Sequence, residues 1–185
     1  SIFWKDRRMS MCFLYNDVLY ADRFQIHDHK NFAPSLTDNK IFISESGNVV
    51  IAIMGDVPEN IPDTLERLER AHEVWKSDIK AKKDLDSSTL TFDQIITNID
   101  VDMLVIFRTS AKKYFSLVTA LGNEDKRVVN HNGDKDQARL FTPTYVFAML
   151  NAGMTPAQVF KGVSQYKGTI SKEFTAYDLK KKKFI

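Results

Sequence analysis

The sequence predicts an α+β fold in which antiparallel sheets are layered against helices, and three observations carry that expectation. Apolar runs recur in pairs around short turns, the pattern of β-hairpins and so of antiparallel sheets. The first arm of the first pair is apolar on both alternating faces, so it needs cover on both sides. Three later segments repeat apolar residues at helical spacing and need a sheet face against which to bury that stripe.

In the first hairpin, residues 9–15 and 18–22 flank the two-residue turn Asn16-Asp17. Met11, Phe13 and Tyr15 make one face of its first arm, and Cys12 and Leu14 make the other. A polar loop follows, containing His27, His29 and Pro34. The second hairpin joins residues 40–44 to residues 49–54 around Glu45-Ser-Gly-Asn48, where Gly47 supplies a backbone free to take positive φ. From Asp63 to Lys80, the apolar positions Leu65, Leu68, Ala71, Trp75 and Ile79 fall on one helical face behind Pro62-Asp63. Residues 80–88 read as a polar connector and 92–96 as a short helical turn. A third hairpin joins 103–107 to 114–119 around 109–112. Residues 122–138 are charged and rich in turn formers, which predicts a long surface loop. Thr142-Pro143 starts a helix over 144–150 that Gly153 ends. In Thr155-Pro156-Ala157-Gln158, the cap threonine, the first-position proline and the third-position glutamine form a capping box. Residues 174–177 are the last expected strand, followed by the basic run 180–183.

The chain has 185 residues, enough for one buried core, and no internal repeat or linker divides it. Lys+Arg 26 against Asp+Glu 24 is too even for a whole-surface nucleic-acid binder, so nucleic acid is not the expected partner. The single cysteine, Cys12, excludes an internal disulfide framework and an all-cysteine metal site. That usage fits a reducing compartment, and cytoplasm is the expected location. No apolar run approaches the roughly 18 residues of a membrane-spanning helix, so no membrane association is expected.

Particular residues then resemble a known family. Val18-Leu-Tyr-Ala-Asp22-Arg23 is similar to a strand that ends in an acid and a base, and Asn39-Lys40-Ile41-Phe42 to a lysine-led start of the next strand. Val50-Ile-Ala-Ile-Met-Gly55-Asp56 is similar to an apolar strand running through small residues into the first helix, and Thr155-Pro-Ala-Gln-Val159 sits where a second helix pair is found. Together these resemble the proteasome β subunits and their HslV-type bacterial relatives, which are N-terminal nucleophile (Ntn) hydrolases. The resemblance implies a four-layer αββα sandwich of antiparallel sheets. The helix from Asp63 would cover one sheet, and those from Thr142 and Thr155 the other. It also implies a domain over residues 10–179, with residues 1–9 as a propeptide-like extension and 180–185 as a basic tail.

In that family the nucleophile is the first residue of the mature chain, its α-amine is the base, and a lysine lowers the proton affinity of the site. With Asn16 and Asp17 at the turn, opposed positions of the hairpin sum to 33, pairing Ser10 with Arg23 and Met11 with Asp22. Ser10 then occupies the nucleophile position, with Asp22 opposite its neighbour and Lys40 arriving from the adjacent strand. The implied catalytic residues are therefore Ser10, Asp22 and Lys40, with no cofactor. The sequence departs from the family at three places. Met9 stands where family precursors carry Gly, no serine lies in Thr119-Ala-Leu-Gly122, and no Asp lies in Lys167-Gly-Thr-Ile-Ser171.

Two functions follow and stay open at this point. One is an N-terminal serine peptidase or amidase, active after loss of residues 1–9. The other is a catalytically inactive scaffold of the same fold that binds another protein. The expected partner is a protein or peptide, and the charged segment 122–138 predicts a monomer or small homo-oligomer in place of a large ring. Other chemistry-bearing residues have plainer readings. His27 and His29 lack a third metal ligand in sequence and read as a solvated loop. Residues 130–136 alternate oxygen-bearing side chains without the downstream Glu of a calcium loop and read as a turn. His72 reads as a packed boundary histidine, Cys12 as a small buried hydrophobe, and the lysines at 180–183 as a solvated end.

Overall fold

The computed structural model describes residues 10–26, 34–36, 39–54, 60–80, 102–108, 114–121, 126–132, 139–140 and 142–185. Residues 1–9, His27, His29, the 80–88 connector beyond Lys80, the 92–96 turn and the 109–112 turn lie outside the described residues, as do the side chains of Trp75 and Ile79.

The chain opens with strands β1 (Cys12–Tyr15) and β2 (Val18–Asp22), paired antiparallel as Cys12↔Ala21 through Tyr15↔Val18. This is the register that a two-residue turn at Asn16-Asp17 demands. Both turn residues are left-handed, with φ 47° and 66°, as a type I′ hairpin requires, and Asn and Asp tolerate that region better than most side chains. A short pair, β3 (Phe24–Ile26) and β4 (Pro34–Leu36), stands apart as its own two-stranded sheet. Then come β5 (Ile41–Ile43), β6 (Val49–Met54), helix α1 (Ile61–Lys80), β7 (Asp102–Arg108), β8 (Tyr114–Leu121) and β9 (Lys126–Asn132). The chain finishes with β10 (Arg139–Leu140), helices α2 (Tyr145–Asn151) and α3 (Pro156–Tyr166), and strands β11 (Phe174–Asp178) and β12 (Lys183–Phe184).

Two five-stranded sheets result, ordered β10-β1-β2-β11-β12 and β5-β6-β7-β8-β9, and every pairing in them is antiparallel. The architecture is thus mixed helix and antiparallel sheet. β6 explains why its sequence is apolar throughout: all six of its residues are buried. Val50, Ala52 and Met54 join Cys12, Leu14, Leu19 and Ala21 of the first sheet in one cluster, while Val49, Ile51 and Ile53 join Leu68 and Ala71 of α1 in another. On the far side of the first sheet, Met11, Phe13, Tyr20 and Ala176 pack with Val146, Phe147 and Leu150 of α2 and Val159, Phe160 and Val163 of α3. Among the described residues no helix is long and apolar enough to cross a membrane.

The expected capping box is present at α3, where Gln158 N–H donates to Thr155 Oγ1 at 3.2 Å and Thr155 N–H to Gln158 Oε1 at 2.9 Å. At α2 the expectation is corrected. Thr142 does not start the helix; its buried hydroxyl lies 2.6 Å from the Cys12 carbonyl and 3.1 Å from that of Leu140, holding the chain against β1. The expected surface loop at 122–138 is also corrected, because residues 126–132 form β9 at the outer edge of its sheet. An edge strand has one free side, so polar residues are tolerated there and mask the strand pattern. The same tolerance places β3, β4 and β12 in segments whose sequence predicts loop or tail.

Phe13 is the hub of the third cluster. Its ring is fully buried and lies 5.1 Å from Tyr20, 5.6 Å from Phe160 and, edge-on, 6.0 Å from Phe147. Phe13→Ala is expected to destabilise the fold by about 3–5 kcal/mol, measured as a lowered urea midpoint at unchanged m-value. A loss below about 1 kcal/mol would contradict this packing role.

Candidate functional site

Three buried polar side chains meet where the two large sheets approach each other. Ser10 lies two residues ahead of β1, Asp22 is the last residue of β2, and Lys40 immediately precedes β5. Lys40 is held in place by its own main chain, since Ile53 N–H of β6 donates to its carbonyl at 2.9 Å. From there its side chain crosses to the first sheet, where Nζ donates to Ser10 Oγ at 2.7 Å and to Asp22 Oδ1 at 3.0 Å. Ser10 is 2% exposed, and Asp22 and Lys40 are completely buried.

The carboxylate is surrounded by donors. Met11 N–H donates to Asp22 Oδ1 at 3.1 Å, while Phe24 and Ser171 N–H donate to Oδ2, each at 3.3 Å. Burial pushes the Asp22 carboxyl above its usual range, and the Lys40 ammonium beside it and the Met11 and Ser171 N–H donors pull the other way. Burial likewise pulls Lys40 below the usual lysine range, opposed by the charge of Asp22. The two groups therefore stabilise each other's charged forms against desolvation. Cys12 lies nearby, and burial, reinforced by the negative charge of Asp22, pushes its thiol far above the ordinary value. A thiolate is strongly disfavoured there, and the residue acts as a small hydrophobe.

The arrangement brings together all three residues inferred from sequence, and adds one that sequence reasoning missed. Ser171 is buried in the connection from α3 to β11; its Oγ accepts from Arg23 N–H at 2.7 Å and donates to the Glu173 carbonyl at 2.7 Å. The signal that could have found Ser171 is a hydroxyl three residues ahead of the strand whose Phe174 pairs with Asp22. His72 is buried and stacks on Phe107 with ring centroids 5.0 Å apart, in keeping with a packed histidine. No group of three or more metal-ligating side chains occurs among the described residues. A cavity of about 730 Å³ lined by Tyr145, Met149 and Tyr166 lies against α2 and α3, and none of Ser10, Asp22 and Lys40 lines it.

No family model matches the chain, and no curated protein matches it in sequence. Solved structures do match in three dimensions. An Anbu (Gly-1) mutant from Hyphomicrobium sp. strain MC1 aligns over 95% of this chain and 84% of its own, with TM-score 0.53 and 6% identity. Anbu, an ancestral beta-subunit, from Yersinia bercovieri aligns over 91% and 79%, with TM-score 0.51 and 8% identity. Eukaryotic HslV from Trypanosoma brucei aligns over 90% and 96%, with TM-score 0.50 and 12% identity. The fold is the proteasome-like Ntn fold. At these identities the likeness is one of backbone, so any role for the Ser10 cluster has to be argued from its own chemistry. What the Ntn fold contributes is the frame that brings a strand start, a strand end and a strand entrance together.

Two outcomes follow from this geometry. Asp22→Asn and Lys40→Met should each cost about 3–5 kcal/mol, because each strands a buried charge, and the double variant should cost clearly less than the sum. Strict additivity in denaturant unfolding would mean that the pair is not coupled. Cys12 should resist thiol reagents in the native protein and react on unfolding; stoichiometric labelling without denaturant would show that the β1 face is open.

Proposed function

We propose that the chain is a latent N-terminal serine hydrolase of peptide or other amide bonds, in which Ser10 is the nucleophile once residues 1–9 are removed. The observation that carries this reading is the Lys40 ammonium, held between Ser10 Oγ and Asp22 Oδ1 with all three groups shielded from water. In the uncut chain the nitrogen of Ser10 is an amide and cannot serve as a base. Hydrolysis of the Met9–Ser10 bond would supply an α-amine on the same residue as the hydroxyl. That amine takes the hydroxyl proton as Oγ attacks the substrate carbonyl, then hands it to the leaving amine as the acyl ester forms. Water releases the acid and regenerates Ser10. Lys40 favours the developing negative charge at short range in a poorly solvated site, and Asp22 keeps Lys40 charged.

The same reading takes the order of layers as α1, second sheet, first sheet, then α2 with α3; the three separate hydrophobic clusters support it. The protein is taken to act on or bind peptide, in a reducing intracellular compartment consistent with its single buried thiol, and as a small assembly. The premise that a long 122–138 loop obstructs ring contacts is weakened by β9. The scaffold reading remains the second one, favoured by the Met9-Ser10 peptide linkage itself.

Intact-mass spectrometry and an electrophilic peptide probe separate the two. A species beginning at Ser10 that is labelled on Ser10, and whose labelling falls at least 100-fold in Ser10→Ala and Lys40→Ala, is expected for the hydrolase. A chain trimmed by an engineered protease site to begin at Ser10 that still neither reacts with the probe nor cleaves amide substrates would leave the scaffold.

A further inference from the structure

The cavity between α2 and α3 takes no part in the Ser10 cluster. Its volume is about 730 Å³, and it is lined by Tyr145 and Met149 of the first helix and by Gly162, Gln165 and Tyr166 of the second. Two of its walls are aromatic rings that face water: Tyr166 is 89% exposed and Tyr145 44%. Gly162 keeps the space between them open, since a Cβ at that position would touch only Met149 Cε, at 3.7 Å. Exposed rings beside an apolar cavity mark a surface that another apolar group covers.

The fold sets this cavity beside the start of β1. Tyr145 opens α2 just after Thr142, whose hydroxyl is bonded to the Cys12 carbonyl. Tyr166 closes α3 shortly before Ser171, whose N–H is bonded to Asp22. The opposite end of the helix pair lies along the strand at Tyr15, whose hydroxyl donates to Asn151 Oδ1 at 2.8 Å. The two tyrosines therefore stand at the same end of the first sheet as Ser10. The chain ahead of Ser10 begins its given sequence with Ser1-Ile-Phe-Trp4, then turns charged as Lys5-Asp-Arg-Arg8. From Trp4 to Ser10 an extended chain spans about 20 Å, enough to pass the Cys12–Thr142 contact and reach the first turn of α2.

We propose that Phe3 and Trp4 dock in the α2–α3 cavity of the same copy, between Tyr145 and Tyr166, and hold the segment ahead of Ser10 on the helix side of the first sheet. Aromatic rings suit walls made of tyrosine and methionine, whose faces and sulfur give favourable ring contacts. A short tether keeps its segment at an effective concentration on the order of millimolar, so a modest contact suffices. Cutting the Met9–Ser10 bond removes the tether, after which the segment diffuses away and the cavity opens. The docking depends on apolar contact alone and holds equally for the hydrolase and the scaffold.

The test uses the full chain carrying Ser10→Ala, so that residues 1–9 stay attached, with intact mass to verify it. Trp75→Phe leaves Trp4 as the single tryptophan. Acrylamide is expected to quench Trp4 severalfold less in this parent than after Gly162→Leu, which fills the cavity, or Tyr166→Ala, which removes a wall. Leucine is a better helix former than glycine and Tyr166 is exposed, so both variants keep the fold, and thermal melts check this. Independently, Ile2→Cys with Gln165→Cys should form a bis-maleimide crosslink within one copy, while Cys12 stays buried and unreactive. Ile2→Cys with Lys183→Cys should not, because β12 pairs with the end of β11 remote from Asp22. Quenching as strong in the parent as in the variants, no crosslink to position 165, crosslinks only between copies, or equal crosslinking to position 183 would each overturn the proposal.

Discussion

A lysine and an aspartate, both fully removed from water, lie 3.0 Å apart at the junction of two sheets. Desolvating each charge costs several kcal/mol, so such a pair persists only when its remaining valences are filled. Asp22 meets that demand with N–H donors from three separate places: Met11 ahead of β1, Phe24 after β2, and Ser171 ahead of β11. One carboxylate therefore fixes the relative positions of three strands of the first sheet. Lys40 extends the constraint to the second sheet, because its main chain is bonded to β6 while its ammonium reaches Asp22. Surrounding apolar residues such as Cys12, Ala21 and Ile41 exclude water and strengthen the attraction they enclose.

The opening hairpin and the site were legible in the sequence because they rest on local rules. A two-residue turn sets the register, the register sets which residues oppose each other, and a strand buried on both faces shows as an unbroken apolar run. Those three facts put Asp22 opposite Met11 and leave Ser10 beside them. Lys40 was legible only through its resemblance to a lysine-led strand start, since nothing local indicates that its side chain turns inward. Capping at Thr155 was legible for the same reason as the hairpin: both partners of the box lie three residues apart.

What was not legible depends on partners distant in sequence. Ser171 meets Asp22 across 149 positions, and neither residue's neighbours announce the contact. Thr142 looks like a helix cap because it precedes a proline and an apolar stripe; its hydroxyl instead serves Cys12, 130 positions away. β9, β3, β4 and β12 are short or peripheral, and peripheral strands are permitted polar sequences that score as loops. Turn signals on either side of Val128-Val129 outweighed the two β-branched residues between them.

The end of the β1–β2 ladder links the fold to the proposed chemistry. Counting from the turn, Tyr15–Val18 and Phe13–Tyr20 are hydrogen-bonded pairs of an antiparallel hairpin, and Met11–Asp22 is the next in the series. Asp22 N–H donates to the Met11 carbonyl at 3.0 Å as that series requires, yet the Met11 N–H turns to the Asp22 side chain. The carboxylate thus finishes the ladder with its own oxygen, and Ser10 lies outside the strand. Ser10 stands just beyond that point, its hydroxyl fixed by Lys40. Ser10 is as buried as the strand interior, so burial alone does not single it out; the Lys40 ammonium on its hydroxyl does. A serine whose main-chain nitrogen must become a free amine needs a position outside the ladder, beside a cation and within reach of a carboxylate, and that is the position Ser10 occupies.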